Sequence, residues 1–348
     1  MDNNTRIKRE SKNRIRVDFE RAPLSERLKS KFLNSFFFKK VIFFIFKIVL
    51  LVGVSYVILY PYITKIFGSF MSPSDFEDVT VVLISKNPTF DQYKYIIMDN
   101  DYFLSLLNTF LISASVALIQ TLVCALVAYG LAKFKFKGNN LLFFIVIFTM
   151  MVPQESIQYA MQRYFLRFGT SNPIGYLLEA LGIIKGGFIN SLAPLYIMSV
   201  TGLGFKNGLF IFMLRQFFKG VPDELEESAY VDGSSTFRTF FNIILPISIP
   251  MLITVFVFAF AWQWTDEFYA SSSSGFYLSS YWSSDDAIKL ISNIARMPES
   301  LDSYSSKTMY VSAIKGTGSI LIVLPLIIVY LFVQNKIVEG VERSGIVG

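Results

Sequence analysis

The 348-residue chain is 53% hydrophobic and 17% charged, where soluble globular chains run about 45–50% and about 25%. It has no His and a single cysteine, Cys124, which excludes histidine-based zinc sites, Ser-His-Asp and Cys-His triads, internal disulfides and CxxC redox pairs. No GxxxxGK[ST] phosphate loop occurs, so the chain does not bind ATP by that route, and its long apolar runs point to an all-α polytopic membrane protein.

In chain order, residues 1–40 come first, with twelve Lys/Arg against five Asp/Glu. They contain no apolar core and no small-residue cleavage site, so they read as a basic cytoplasmic arm rather than a signal peptide. Six spans are expected over residues 41–338, at about 41–64, 104–132, 141–162, 191–218, 247–268 and 312–336. The third must continue past Pro153 and Glu155 to reach a spanning length. The fourth is interrupted by Gly202, Gly204 and Lys206. With the N-terminus inside, the inner segments hold 20 Lys/Arg in 93 residues and the outer ones 10 in 117. That asymmetry predicts cytoplasmic N- and C-termini, the tail being 339–348. The basic arm then faces anionic lipid, and nucleic acid is not an expected partner. Trp262 and Trp264 fall at the outer end of the fifth span, where an aromatic belt belongs. The outer loop 269–307 is rich in Ser, Tyr and Gly over 271–284, with a short helix expected near Asp286–Ala295.

Between spans four and five lies 219–246, a segment of different composition. Pro222 suits a first helical position, and Asp223, Glu224 and Glu226 favour the positive end of a helix. Gly233 supplies a left-handed stop, and Ser234 or Ser235 caps a second helix. That helix carries Phe237, Phe240, Phe241 and Ile244 as one apolar face, until Pro246 ends or kinks it. The expected product is a helix-turn-helix on the inner face of the membrane.

Glu227-Ser228-Ala229, then Gly233, then Ile243-Ile244-Leu245-Pro246 resembles the signature of the permease subunits of ABC importers: Glu-Ala-Ala, three residues, Gly, nine residues, Ile-x-Leu-Pro. Ser228 stands where Ala is usual. Phe210 to Phe218, Asn108-Thr109, Ala128 to Ala132, Met151 to Gln154 and Pro88 to Tyr93 are similar to the carbohydrate-importer branch, the MalG type. The ending Gly345-Ile-Val-Gly348 resembles that branch's tail, with Val347 where Lys is usual. The likeness runs from about Val41 to Gly348. The basic arm and the outer loop are longer than the family pattern.

The resemblance implies a transport subunit of the bacterial cytoplasmic (inner) membrane, not an enzyme. Its partners would be a second permease subunit, two ATP-binding subunits, an extracellular solute-binding protein and a carbohydrate. No cofactor is expected on this chain, and ATP and Mg belong to the partner ATPase. Glu227, Ser228, Ala229, Asp232, Gly233, Ile243, Leu245 and Pro246 become the expected ATPase-coupling residues. Gly345 and Gly348 are candidates for a tail contact with the ATPases. Lys206 and Asn207 are substrate-path candidates because a charge inside a span marks a functional site by default. Trp264 and Asp266 join them because an aromatic face beside a carboxylate suits a sugar ring. Tyr277, Tyr281 and Trp282 are candidates for contact with the solute-binding protein. Rival readings are an ABC permease for another solute and an ion-coupled secondary transporter, although no acid lies in Leu104–Ala132 or Thr239–Thr265.

Overall fold

The structure, a computed structural model, describes residues 35–167, 180, 192–204, 206–266, 268–269 and 289–343. Among these residues there is no strand. Helices satisfy their backbone N–H and C=O groups internally, which apolar runs in a bilayer require. The chain divides between Ile63 and Thr64 into two units. The first contains most of α1 (Ser35–Gly68). Consecutive Ile42, Phe43, Phe44, Ile45 and Phe46 are all exposed, so apolar side chains ring this helix. Its Lys47 ammonium lies 4.6 Å from the centre of the Phe43 ring, one turn earlier.

The second unit runs through α2 (Asp91–Asp99), α3 (Tyr102–Lys133), α4 (Asn139–Thr149), α5 (Gln154–Leu166), α6 (Ala193–Val200), α7 (Asn207–Gly220), α8 (Glu224–Val231), α9 (Thr236–Ile247), α10 (Ile249–Trp264) and α11 (Thr308–Arg343). α3 is the central pillar: α6, α7 and α10 pack on it, and α11 packs on α10. Its buried stripe includes Ser105, Thr109, Ser113, Ala117, Thr121, Cys124, Ala125 and Ala128. Small residues at spacings of three and four let neighbouring helices approach closely, as packing inside a bilayer demands. Gly208 shows the same need on α7. A Cβ there would lie 2.8 Å from the Val146 carbonyl oxygen and from Thr149 Oγ1 on α4.

Helices α1, α3 and α11 are long and apolar enough to cross a membrane, and the pair α9–α10 adds a fourth if taken together. The expected second and sixth spans are single helices that outrun their apolar cores at both ends. The third expected span is instead two helices, α4 and α5. Pro153, extended at ψ 135°, stands between them as the N-cap of α5. The fourth is also two helices, α6 and α7, because the chain turns at Gly202, which has φ +75°. The fifth is shorter than expected: α10 begins at Ile249 and ends at Trp264, short of residue 268.

Above α3 the segment after residue 288 is clasped by the helix's first turns. The Ile291 N–H donates to Thr109 Oγ1 at 2.8 Å, and Asn108 Nδ2 donates to the Lys289 carbonyl at 3.1 Å. Lys289 also pairs with Asp101. In place of the helix expected near Asp286–Ala295, the described part of that stretch holds one 3₁₀ turn, Ile291–Asn293. The segment before α2 folds around buried Asp75. Burial raises the Asp75 pKa, but donation from the Ser85 hydroxyl and from the backbone N–H groups of Asn87 and Ser72 outweighs it, and the carboxyl ends below its ordinary range. Gln92 on α2 then ties this segment to α11: it donates to the Gly68 and Met71 carbonyls and accepts from Thr317 Oγ1 at 2.7 Å.

Candidate functional site

The 221–246 segment folds as two short helices joined by a tight turn. α8 starts at Glu224, two residues after Pro222. Pro222 is therefore not the first helical residue, and Asp223 occupies the N-cap with its carboxylate drawn away to Lys133. α8 ends in a Schellman arrangement. The Gly233 N–H donates to the Tyr230 carbonyl at 3.0 Å and the Ser234 N–H to the Ala229 carbonyl at 2.9 Å. Gly233 sits at φ +80°, a conformation that favours glycine. Ser235 caps α9 by accepting from the Arg238 N–H at 3.4 Å.

α9 does not end at Pro246. Proline lacks the N–H and crowds the carbonyl four residues back. Here the helix widens into a π turn over Phe240–Ile244, with the Leu245 N–H donating to the Phe240 carbonyl, and continues to Ile247. The bend falls at Ser248, where α9 and α10 meet at 80°. Pro250 opens the next helix, and Ser248 Oγ donates to the Ile244 carbonyl at 2.6 Å. The expected single apolar face is thereby split. Phe240 and Ile244 are buried, while Phe237 and Phe241 are exposed.

Two side chains of α3, Lys133 and Tyr129, hold this element through Asp223 and Glu226. Lys133 Nζ donates to the Val221 carbonyl at 2.7 Å and to Asp223 Oδ1 at 2.6 Å, and lies 3.2 Å from Glu226 Oε1. The Tyr129 hydroxyl donates to Glu226 Oε2 at 3.2 Å. The Tyr129 ring also packs on Phe240 and Phe218, centroids 4.8 and 5.8 Å away. Lys133 and Glu226 are both buried, whereas Asp223 is exposed. The hydrogen bond from Lys133 holds the Asp223 carboxyl below the usual carboxylate range. Beside them, buried Arg215 donates from Nε to the Leu131 carbonyl at 3.1 Å and stacks 3.7 Å from the centre of the Phe143 ring. Arg215 thus caps a carbonyl at the negative end of α3, while Lys133 reaches from that end to the 221–246 element.

A second locus lies farther along α3. Gln120, Ser199, Gly204, Lys206, Trp262 and Asp266 are among the residues lining a depression with about 20 Å³ of free volume, room for water rather than a sugar ring. Asn207 lies behind it and is 1% exposed. Asp266 closes the turn after α10, accepting the N–H groups of Phe268 and Tyr269 at 3.3 and 3.0 Å.

Residues 121–343, more than half of the chain, match the sequence model of a family described as the inner membrane component of binding-protein-dependent transport systems. The chain belongs to that family. The permease is 27% identical over 291 residues to the putative ABC transporter permease protein ORF2 of Caldicellulosiruptor sp., covering 83% of this chain and 91% of that one. It is 26% identical over 320 residues to the galactooligosaccharides transport system permease protein GanQ of Bacillus subtilis, covering 89% and 98%. Its fold is similar to a chain in the crystal structure of a bacterial ABC transporter that imports the acidic polysaccharide alginate, with TM-score 0.59, 20% identity and coverage of 85% and 97%.

The permease presents Glu227, Ser228, Asp232, Gly233 and Pro246 on the exposed side of the 221–246 element. Ala229 is buried, so its small side chain permits close packing within the chain, and Ile243 and Leu245 are half-buried. Lys206 and Asp266 line one depression. Trp264 is 2% exposed and donates from its indole N–H to the Ile322 carbonyl at 2.9 Å, so it mainly locks α10 to α11. Neighbouring Trp262 faces the depression instead. Gly345, Gly348, Tyr277, Tyr281 and Trp282 lie outside the described residues. Sequence reading missed Lys133, Tyr129, Arg215 and the inward role of Glu226. The available signal was that Lys133 and Arg215 are the first charges met at the ends of apolar runs.

Proposed function

We propose that this chain is a permease subunit of an ATP-driven ABC importer, with six spans and both termini in the cytoplasm of a bacterial cell. It forms half of the path for a carbohydrate delivered by an extracellular solute-binding protein. A second permease supplies the other half, and two separate ATPase subunits hold ATP and Mg, this chain carrying no cofactor. The reading rests on one observation: the Glu-Ser-Ala, Gly, Ile-Ile-Leu-Pro series folds as two capped helices fixed on the end of α3. Such an element is stiff enough to transmit force from a docked ATPase. Reversing an inward:outward population from 1:99 to 99:1 takes about 5.5 kcal/mol, which a loose loop does not carry. The name of the relative GanQ supports a carbohydrate as cargo. The shallow depression fits a wall completed by another subunit.

The test is a mild-detergent pulldown of the tagged chain from its native membrane, read by mass spectrometry. A phosphate-loop ATPase, a second polytopic permease and a solute-binding protein should co-purify. A chain that came down alone, and still transported when reconstituted alone, would refute the importer reading.

A further inference from the structure

We propose that the depression between α3, α6 and α10, too small alone for a sugar ring, is one wall of a seat for an acidic sugar that the second permease subunit completes, with Lys206 recognising its carboxylate and Trp262 supporting its ring. This rests on the importer reading above and narrows its cargo. Gln120, which lines the seat, is placed near the middle of α3, about 27 Å from Tyr102 and about 20 Å from Lys133 along the axis. The seat therefore lies deep between the ends of a spanning helix, where a bare ammonium is costly. Among the described residues no carboxylate lies within ion-pair distance of Lys206. Its ammonium instead stands 3.9 Å from the centre of the Trp262 ring. A cation–π contact offsets only part of the desolvation of a lysine. The remainder calls for water or for an anion that comes and goes.

The surroundings suit a sugar. Trp262 is half exposed, giving an apolar face for a pyranose ring. Gln120 and Gln263 line the wall and supply neutral hydrogen-bonding groups for hydroxyls, while buried Ser199 is taken up by the Leu195 carbonyl and Gln120. Gly204 keeps the floor open: a Cβ there would lie 2.8 Å from Gln120 Nε2 and 3.1 Å from both polar atoms of the Asn207 amide. Neither polar atom of that buried amide has a hydrogen-bond partner, so unused donor and acceptor capacity lies directly behind the floor. Aspartate is present at the rim as Asp266, whose oxygens accept from the turn that follows α10.

The experiment uses the complete importer in proteoliposomes with its solute-binding protein, offered radiolabelled oligouronides and the neutral oligosaccharides with the same ring and linkage. Wild type should take up an oligouronide in preference to its neutral counterpart. Lys206→Gln should lower that uptake by about tenfold or more, the scale of one lost charge-assisted contact, and Lys206→Arg should restore most of it. Co-purification of all subunits in each variant guards against misassembly. Oligouronide uptake that Lys206→Gln leaves unchanged overturns the proposal. Uptake of neutral oligosaccharides alone overturns it while leaving the carbohydrate importer standing. Uptake of neither, with ATP hydrolysis unresponsive to both, overturns the carbohydrate reading as well.

Discussion

Lys133 and Glu226 are 93 positions apart and meet at 3.2 Å, both almost excluded from solvent. A buried pair of this kind is weak as a net stabiliser but costly to break, because one charge is left behind. Lys133→Met leaves Glu226 with only Tyr129, and Glu226→Ala leaves Lys133 with exposed Asp223. Each single change should destabilise by about 3 kcal/mol, and the double variant should cost much less than the sum. Additive losses in a thermal-unfolding cycle would show that the two charges do not sense each other. Asp223 adds a pH dependence. Its carboxyl is held low by Lys133, so its contribution is present above the unfolded value of about 3.9 and is lost as pH falls through the lower folded one. The melting-temperature gap between wild type and Asp223→Asn should therefore close in acid, and a gap that persisted to about pH 2 would exclude the tie. The pairing itself was not legible in sequence, where Lys133 shows only as the first charge after an apolar run. Glu226 reads there as one of several acids in a first helical turn, and only the fold shows that it points inward.

At the scale of the element, the turn between α8 and α9 was largely legible, since Gly233 and Ser235 have the chemistry that their positions require. The path beyond them was not. Spacing alone places Phe237, Phe240, Phe241 and Ile244 on one helical stripe, but the π turn that accommodates Pro246 resets the phase and sends two inward and two outward. The outward pair, with Val231 at 87% exposure, leaves an apolar rim on the side that carries Glu227 and Asp232. Gly233 has open space around it, so a side chain there meets no clash and the whole penalty is its positive φ. Gly233→Val should cost about 1–2 kcal/mol in local backbone strain and deform the turn, whereas Gly233→Asn fits the left-handed region better. Uptake should accordingly be lost in the Val variant and largely kept in the Asn variant, at equal abundance in the membrane. Wild-type uptake by Gly233→Val would show that the turn geometry carries no function.

Across the whole molecule, apolar run length located the long helices α1, α3 and α11 well, because an uninterrupted apolar run of spanning length is enough to mark a helix in a bilayer. It failed where helices break. Pro153 and Gly202 were visible as interruptions, yet whether a break makes two helices or one kinked span depends on neighbours, such as the close approach of α7 to α4 at Gly208. The end of α11 meets the start of α10 in the same way: a Cβ on Gly340 would lie 2.7 Å from the Pro250 carbonyl oxygen. The 80° corner at Ser248 therefore has its α10 side braced by the last helix. Its other side, α9, is an arm of 12 residues, about 18 Å long. Opening the corner by about 10° would sweep the far end of that arm through about 3 Å, the width of a hydrogen bond. A small change in angle at Ser248 is thus enough to make or break contacts at the far tip of α9.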